Sequence, residues 1–149
     1  MESLFEANSL ARIIITVIAV ALAVGPIVAD FNKTHATNPL WPGHARFHVV
    51  WQVLTNSGLC MLVLALLWIP RVAYDLQLHL AAIILAAVLA AFFIALLASR
   101  IFGGTLSDAN GIPPFVFKLA GRTIKIDTNL FGFSIISLLL TFATSNIIS

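Results

Sequence analysis

Charged residues are scarce in this sequence. Only 9% of its 149 residues are charged and 60% are hydrophobic, whereas an average soluble domain has about 25% charged residues. The mean hydropathy is +1.04. A chain with so little charge is not an ordinary water-soluble domain, and we therefore predict an integral membrane protein.

Cysteine is almost absent, and the basic residues do not cluster. The single cysteine, Cys60, lies inside an apolar run, so one chain can build neither a disulfide framework nor a cysteine-based zinc site. The formal net charge is +2, with the basic residues dispersed along the chain, whereas a nucleic-acid footprint requires a basic cluster. We therefore expect no nucleic-acid partner.

Four apolar runs account for more than half of the chain. Each has about 20 residues, enough to cross a hydrocarbon core as a helix, and they predict helices over residues 10–29, 44–69, 78–101 and 129–148. No room remains for a separate soluble domain. We predict that residues 1–149 form one all-α domain, a polytopic four-helix transmembrane bundle of two antiparallel hairpins. Alternating polar and apolar residues around Ala120 and Gly121 predict a small β-hairpin in the third loop.

The basic residues predict the orientation of the bundle. Loops one and three lie on the same side of the membrane by parity, and they carry most of the lysines and arginines. These are Lys33, Arg46, Arg100, Lys118, Arg122 and Lys125, against Arg12 and Arg71 on the other side. By the positive-inside rule, loops one and three are expected in the cytoplasm and both termini outside.

The stretch from Asp30 to Asn56 concentrates polar and aromatic residues in this apolar chain. It contains three of the four histidines, two of the three tryptophans and two prolines. Because residues before proline are pushed out of the helical region, its first part, residues 31–43, is expected to be extended and stiff. In the predicted second helix, His44, His48, Gln52 and Asn56 are spaced by four, with Trp51 and Thr55 between them.

Residues spaced by four share one face of a helix. The polar groups of this row are costly against lipid, so we expect them to face the bundle interior. A second polar row, Ser134, Ser137, Thr141 and Ser145, lies on the fourth helix. Its hydroxyls either bond back to their own helix or meet the row on the second helix.

Three hypotheses compete for the site formed by loop one and the second helix. The first is a pocket for a lipophilic molecule with a polar head, such as a quinone, sterol or isoprenoid. Trp51 with Phe47 would supply flat walls, and His44, His48, Gln52 and Asn56 would supply hydrogen bonds. Asp30, His44 and His48 are the candidates for catalysis, because a histidine can act as a proton donor in redox or isomerisation chemistry.

The second hypothesis is a zinc or iron site. His44 and His48 are four residues apart, and His35 with Asp127 or Asp108 would complete a set of nitrogen and oxygen ligands. The third is structural: the histidines lie in the headgroup layer, and the protein is a non-catalytic accessory subunit of a larger membrane complex, or a homo-oligomer.

The segment from Thr34 to His48 resembles a family motif. It has the form T-H-x-x-N-P-x-W-P-x-H-A-x-F-H, found here at Thr34, His35, Asn38, Pro39, Trp41, Pro42, His44, Ala45, Phe47 and His48. The motif resembles that of a poorly characterised family of small four-helix membrane proteins. The size and helix count also resemble the DoxX-like group. The resemblance implies a four-helix architecture and brings no activity with it.

Overall fold

The computed structural model of the protein describes residues 8–69, 74–107, 112–119 and 121–147. Helix α1 spans Ser9–Asp30, α2 spans Gly43–Trp68, and α3 spans Tyr74–Ala98 and continues into a 3₁₀ turn at Ser99–Ile101. Helix α4 spans Thr128–Ser145. The described residues contain four helices long and apolar enough to cross a membrane, which confirms the predicted helical bundle.

Helix α1 packs against the other three helices, and most extensively against α2. Helices α2 and α4 each pack mainly against α1 and α3, so they occupy opposite corners. The core consists of apolar side chains from all four helices, which exclude lipid and pack by close contact. Its fully enclosed members include Ile15, Ile18, Cys60, Val63, Leu78 and Leu85.

The packed face of α2 is a seam of apolar side chains. Val53, Cys60 and Leu67, seven residues apart, are buried together with Val63, as is typical of helices that cross at a shallow angle. Beside the seam, Ser57 Oγ donates a hydrogen bond to the carbonyl oxygen of Ala23 in α1, at 3.0 Å. This seam fixes the rotation of α2 in the bundle.

The polar row of α2 consequently lies mostly on the outer surface. His44, His48 and Gln52 are exposed, whereas Asn56 is half-buried. In a helix of 3.6 residues per turn, residues spaced by four are rotated from one another by about 40° around the helix axis. The row therefore starts on the outer side and approaches the packed side at Asn56. The expectation of an inward-facing row is wrong for most of its length, because the apolar seam occupies the inner face.

Loop one is a compact series of turns rather than an extended segment. The backbone N–H groups of His35, Thr37 and Asn38 donate to carbonyl oxygens only a few residues earlier. Asn38 is 2% exposed, and its side chain both donates to the carbonyl of Thr34 at 3.0 Å and accepts from the N–H of Leu40 at 3.0 Å. The prolines restrict this loop, but the asparagine side chains determine how it turns.

The predicted hairpin in the third loop is confirmed. Strand β1 spans Phe115–Leu119 and pairs antiparallel with β2, Arg122–Ile126, in a register that places Leu119 opposite Arg122. Gly121, in the connection, has a φ of 76°, a left-handed conformation that glycine adopts without steric cost.

The hydroxyl row of α4 bonds to its own helix. Ser137 Oγ donates to the carbonyl of Phe133 at 2.8 Å, and Thr141 Oγ1 donates to the carbonyl of Ser137 at 2.9 Å. Ser145 Oγ likewise donates to the carbonyl of Phe142 at 2.8 Å. Because α2 and α4 lie at opposite corners, the two polar rows belong to separate surfaces.

Candidate functional site

A lateral groove runs along the outer face of α2. It has a volume of about 330 Å³ and is lined by His48, Trp51, Gln52, Thr55 and Asn56. Asn56 lies thirteen residues beyond the first residue of α2, which corresponds to about 20 Å along the helix axis. The lining begins at His48, five residues into the helix, so the groove lies within roughly the first half of the membrane-spanning segment.

His44 and His48 form a contact at the outer end of this groove. Their Nε2 atoms are 3.0 Å apart, and their rings are perpendicular with centroids 4.5 Å apart. A hydrogen bond between two Nε2 atoms requires one to donate and the other to accept, so two neutral histidines here would be in opposite tautomers. The pair can pass a proton between its members.

The ring of Trp51 forms the flat part of the groove, and the ring of Phe47 lies beside it. The ring centroid of Trp51 lies 5.7 Å from that of His48 and 6.4 Å from that of Phe47. Trp51 is 58% exposed and Phe47 is 63% exposed. Together they present an apolar face next to the histidine pair, so the groove combines ring-stacking surface with a few hydrogen-bonding groups.

The remaining predicted site residues meet at a second place, between loops one and three. Asp30, His35 and Asp127 line a small polar cavity of about 40 Å³, together with Ser107 and Asn129. Asp30 is the last residue of α1, and its Oδ1 lies 3.5 Å from His35 Nδ1. Asp127 is the N-cap of α4, where its Oδ1 accepts from the N–H groups of Asn129 and Leu130 at 2.8 and 3.1 Å.

A chain of hydrogen bonds orients the ring of His35. The Asn32 amide donates to the carbonyl of Ala29 at 2.8 Å, which leaves its Oδ1 to accept. That oxygen accepts the Thr34 backbone N–H at 2.8 Å and the Thr34 hydroxyl at 2.6 Å. The Thr34 hydroxyl has only one proton, so its oxygen accepts from His35 Nδ1 at 2.7 Å.

It follows that Nδ1 of His35 carries hydrogen, and in the neutral ring Nε2 holds the lone pair. The edge of the His35 ring also contacts Trp41, with centroids 5.2 Å apart and planes at 87°. The short sequence Asn32-Lys33-Thr34 therefore positions a histidine. The sequence reasoning did not single out Asn32 for this role, although an asparagine two residues before its hydrogen-bond partner is typical of such turns.

The structure divides the metal-ligand set proposed from the sequence. His44 and His48 belong to the groove, whereas His35 and Asp127 belong to the polar cavity. Among the residues that the structure describes, no group of three or more histidine, cysteine, aspartate or glutamate side chains could hold a metal ion. Asp108, the other acidic candidate from loop three, lies outside the described residues.

The fold and these two places define a small multi-pass helical membrane protein with polar sites near one end of the bundle. A family model described as a family of unknown function (DUF6640) matches residues 14–117, and the chain belongs to that family. The matched region includes loop one, the whole groove and strand β1 up to Phe117, and it ends before Asp127. Comparisons with curated proteins and with solved structures gave no match.

Proposed function

We propose that this protein binds a lipophilic molecule with a polar head, of the quinone, sterol or isoprenoid kind, in the groove on the outer face of α2. The observation that carries the proposal is the exposure of His48 and Gln52 on a membrane-spanning helix. Polar side chains that face hydrocarbon are costly and commonly mark functional sites. A bound polar head would satisfy them.

The size and lining of the groove support a small-molecule ligand. Its volume of about 330 Å³ falls at the lower end of the range for ligand pockets, roughly 300–1,000 Å³. Trp51 offers a ring face for stacking, and Gln52 and Asn56 offer both donors and acceptors. The polar head of the ligand would lie along these residues, with its chain or ring system continuing along the lipid-facing side of α2.

The histidine pair supports proton exchange with such a head. His48 lines the groove and its Nε2 contacts that of His44 at 3.0 Å. A proton taken up by His48 can pass to His44 at the loop-one end of the helix. This arrangement suits quinone chemistry, in which protons accompany electrons, and acid–base isomerisation of a lipophilic substrate.

The orientation of the protein in the membrane is part of the proposal. Six basic residues lie in or next to loops one and three, and they favour a cytoplasmic location for this end of the bundle. Protons exchanged through His44 would then enter or leave the cytoplasmic side. The motif from Thr34 to His48 and the DoxX-like architecture remain resemblances, and neither contributes a reaction.

Lipid analysis of the purified protein tests the binding proposal. We expect one quinone, sterol or isoprenoid to co-purify in near-stoichiometric amount, and to be lost from Trp51→Ala. Leu54→Ala is the matched control, because Leu54 is also exposed on α2, at 57%, but is not among the residues that line the groove. Equal ligand content in the two variants would contradict the proposal, and stable co-purification of larger subunits without a ligand would favour an accessory role.

A metal role is the second candidate, and the histidine pair is the observation that favours it. Two Nε2 atoms 3.0 Å apart can bind one zinc or iron ion. Within the part of the chain that the structure describes, no third histidine, cysteine or carboxylate completes the ligand set. Elemental analysis of the wild type and of His44→Ala and His48→Ala tests this. Absence of stoichiometric metal from the wild type would eliminate it.

A further inference from the structure

A second amphipathic cavity lies where the end of α1 and loop one meet loop three. Its apolar part is an open trough of about 640 Å³, lined by residues that include Gly25, Val28, Ala29, Thr34 and Pro113. Its polar part is the cavity of about 40 Å³ around Asp30, His35 and Asp127.

The two parts adjoin each other. Ile112 lines both of them. Ala29 and Thr34 line the trough, while their chain neighbours Asp30 and His35 line the polar cavity. An apolar surface that ends in a small charged cavity matches the shape of a single-chain amphiphile.

The walls of this site are held by specific hydrogen bonds. Thr128 Oγ1 donates to the carbonyl of Pro113 at 2.7 Å, which ties the loop-three wall to the start of α4. The Asp127 cap and the Asn32–Thr34–His35 chain fix the polar end on both sides. Because these side chains are already positioned, a ligand would not have to order them on binding.

Charge and size select the head of the ligand. Two carboxylates line the polar cavity, and the Asp127 cap uses Oδ1 alone. A volume of about 40 Å³ exceeds the roughly 10–15 Å³ needed for one water, so a small polar head can enter this cavity. Anionic heads would meet like charge, whereas a primary ammonium would donate up to three charge-assisted hydrogen bonds.

We propose that this cavity is a binding site for a long-chain primary amine, with its ammonium between Asp30 and Asp127 and its alkyl chain in the trough. The site is separate from the groove on α2 and does not depend on the function proposed for that groove. The ring of His35, held by its hydrogen bond to Thr34 Oγ1, forms one wall of the ammonium site.

Binding of dodecylamine to the full-length protein in lipid nanodiscs tests the proposal. Below the micellar concentration, we expect saturable binding of one equivalent, and much weaker binding of dodecanol and dodecanoate, which have the same chain. Asp30→Asn should weaken amine binding by about tenfold or more, because it removes one charge-assisted interaction. Asp127→Asn should also weaken it, and this variant keeps a competent N-cap.

A second experiment fills the trough and leaves both carboxylates unchanged. A Cβ at Gly25 would have no neighbouring heavy atom within 4 Å, so Gly25→Leu should fold. The leucine side chain should occupy the trough, and we expect it to abolish saturable binding. Gly58→Leu is the matched control, because Gly58 is equally unobstructed but lies on α2, and it should bind as the wild type does.

Three results would overturn the proposal. They are non-saturable uptake of dodecylamine, equal binding of dodecanol or dodecanoate, and unchanged amine affinity in folded Asp30→Asn and Gly25→Leu. Circular dichroism and thermal melting establish that each variant is folded. Loss of amine binding with unchanged ligand content in the α2 groove would establish that the two sites are independent.

Discussion

Replacing Gln52 by leucine distinguishes a ligand-facing side chain from a structural one. Gln52 is exposed on α2 and lines the groove. If α2 remains inserted in the bilayer when the bundle comes apart, this side chain faces lipid or ligand in both states. Its replacement should then change the free energy of unfolding by no more than about 0.5 kcal/mol, as for other surface substitutions.

The size of the effect separates the alternatives. A glutamine that paired with groups inside the bundle would leave its partners unsatisfied when replaced, at a cost of about 1–3 kcal/mol. The internal reference is Ser57→Ala on the same helix, which removes the hydrogen bond to the Ala23 carbonyl. Interhelical hydrogen bonds in membranes contribute about 0.6 kcal/mol on average.

The assay is reversible unfolding of the purified protein in mixed micelles, followed by circular dichroism. We expect Gln52→Leu to unfold like the ligand-free wild type, Ser57→Ala to be less stable, and bound ligand to stabilise the wild type but not Gln52→Leu. Destabilisation of ligand-free Gln52→Leu by more than about 1 kcal/mol would refute the outward orientation of the row.

Three further predictions concern other parts of the bundle. Asp127→Ala should lower the free energy of unfolding by about 1 kcal/mol through loss of the α4 cap, whereas Asp127→Asn should keep most of the stability of the wild type. Thermal melting measures the difference, and equal melting temperatures of the two variants would contradict a capping role. Trp68→Phe should lower the free energy of unfolding by about 1 kcal/mol. Trp68 Nε1 donates to Thr16 Oγ1 at 3.1 Å, and the Arg12 guanidinium lies 4.3 Å from the Trp68 ring centroid. Thr16→Val removes only the hydrogen bond, so in chemical unfolding it should reproduce only part of that loss. Gly121→Val should destabilise the β-hairpin by about 1–2 kcal/mol, because valine is strained at the positive φ of this position. Amide hydrogen exchange should become faster in both strands, and unchanged exchange would contradict the requirement for glycine in this turn.

The helices and the hairpin could be predicted because their signals are local. Apolar runs of membrane-spanning length and alternation around Gly121 depend on near neighbours in the chain. The orientation of α2 could not be predicted in the same way, because it depends on which face packs against α1. Val53, Cys60 and Leu67 are spaced by seven and mark the packed face, but this helix is apolar over most of its surface, so the spacing does not distinguish one face in the sequence.

The spacing of the candidate residues predicts which of them lie together on α2. His48, Trp51, Gln52 and Asn56 share a groove because spacings of three and four bring residues together within one helix. The separation of His35 from His44 could not be read from the sequence, because it follows from the turns of loop one. Those turns depend on hydrogen bonds made by Asn32 and Asn38, whose geometry is not encoded in spacing.

Fluorescence of a single tryptophan at position 51 tests the central claim most directly. In the variant Trp41→Phe/Trp68→Phe, only Trp51 remains, and it lines the groove. Titration with ubiquinone, cholesterol and geranylgeraniol in nanodiscs should give a saturable change in Trp51 emission for one of the three compounds. In the same background, His48→Ala should weaken that binding by about five- to tenfold, the equivalent of one hydrogen bond. Changes that rise linearly with every compound, and that are the same with and without His48, would contradict a ligand site on α2.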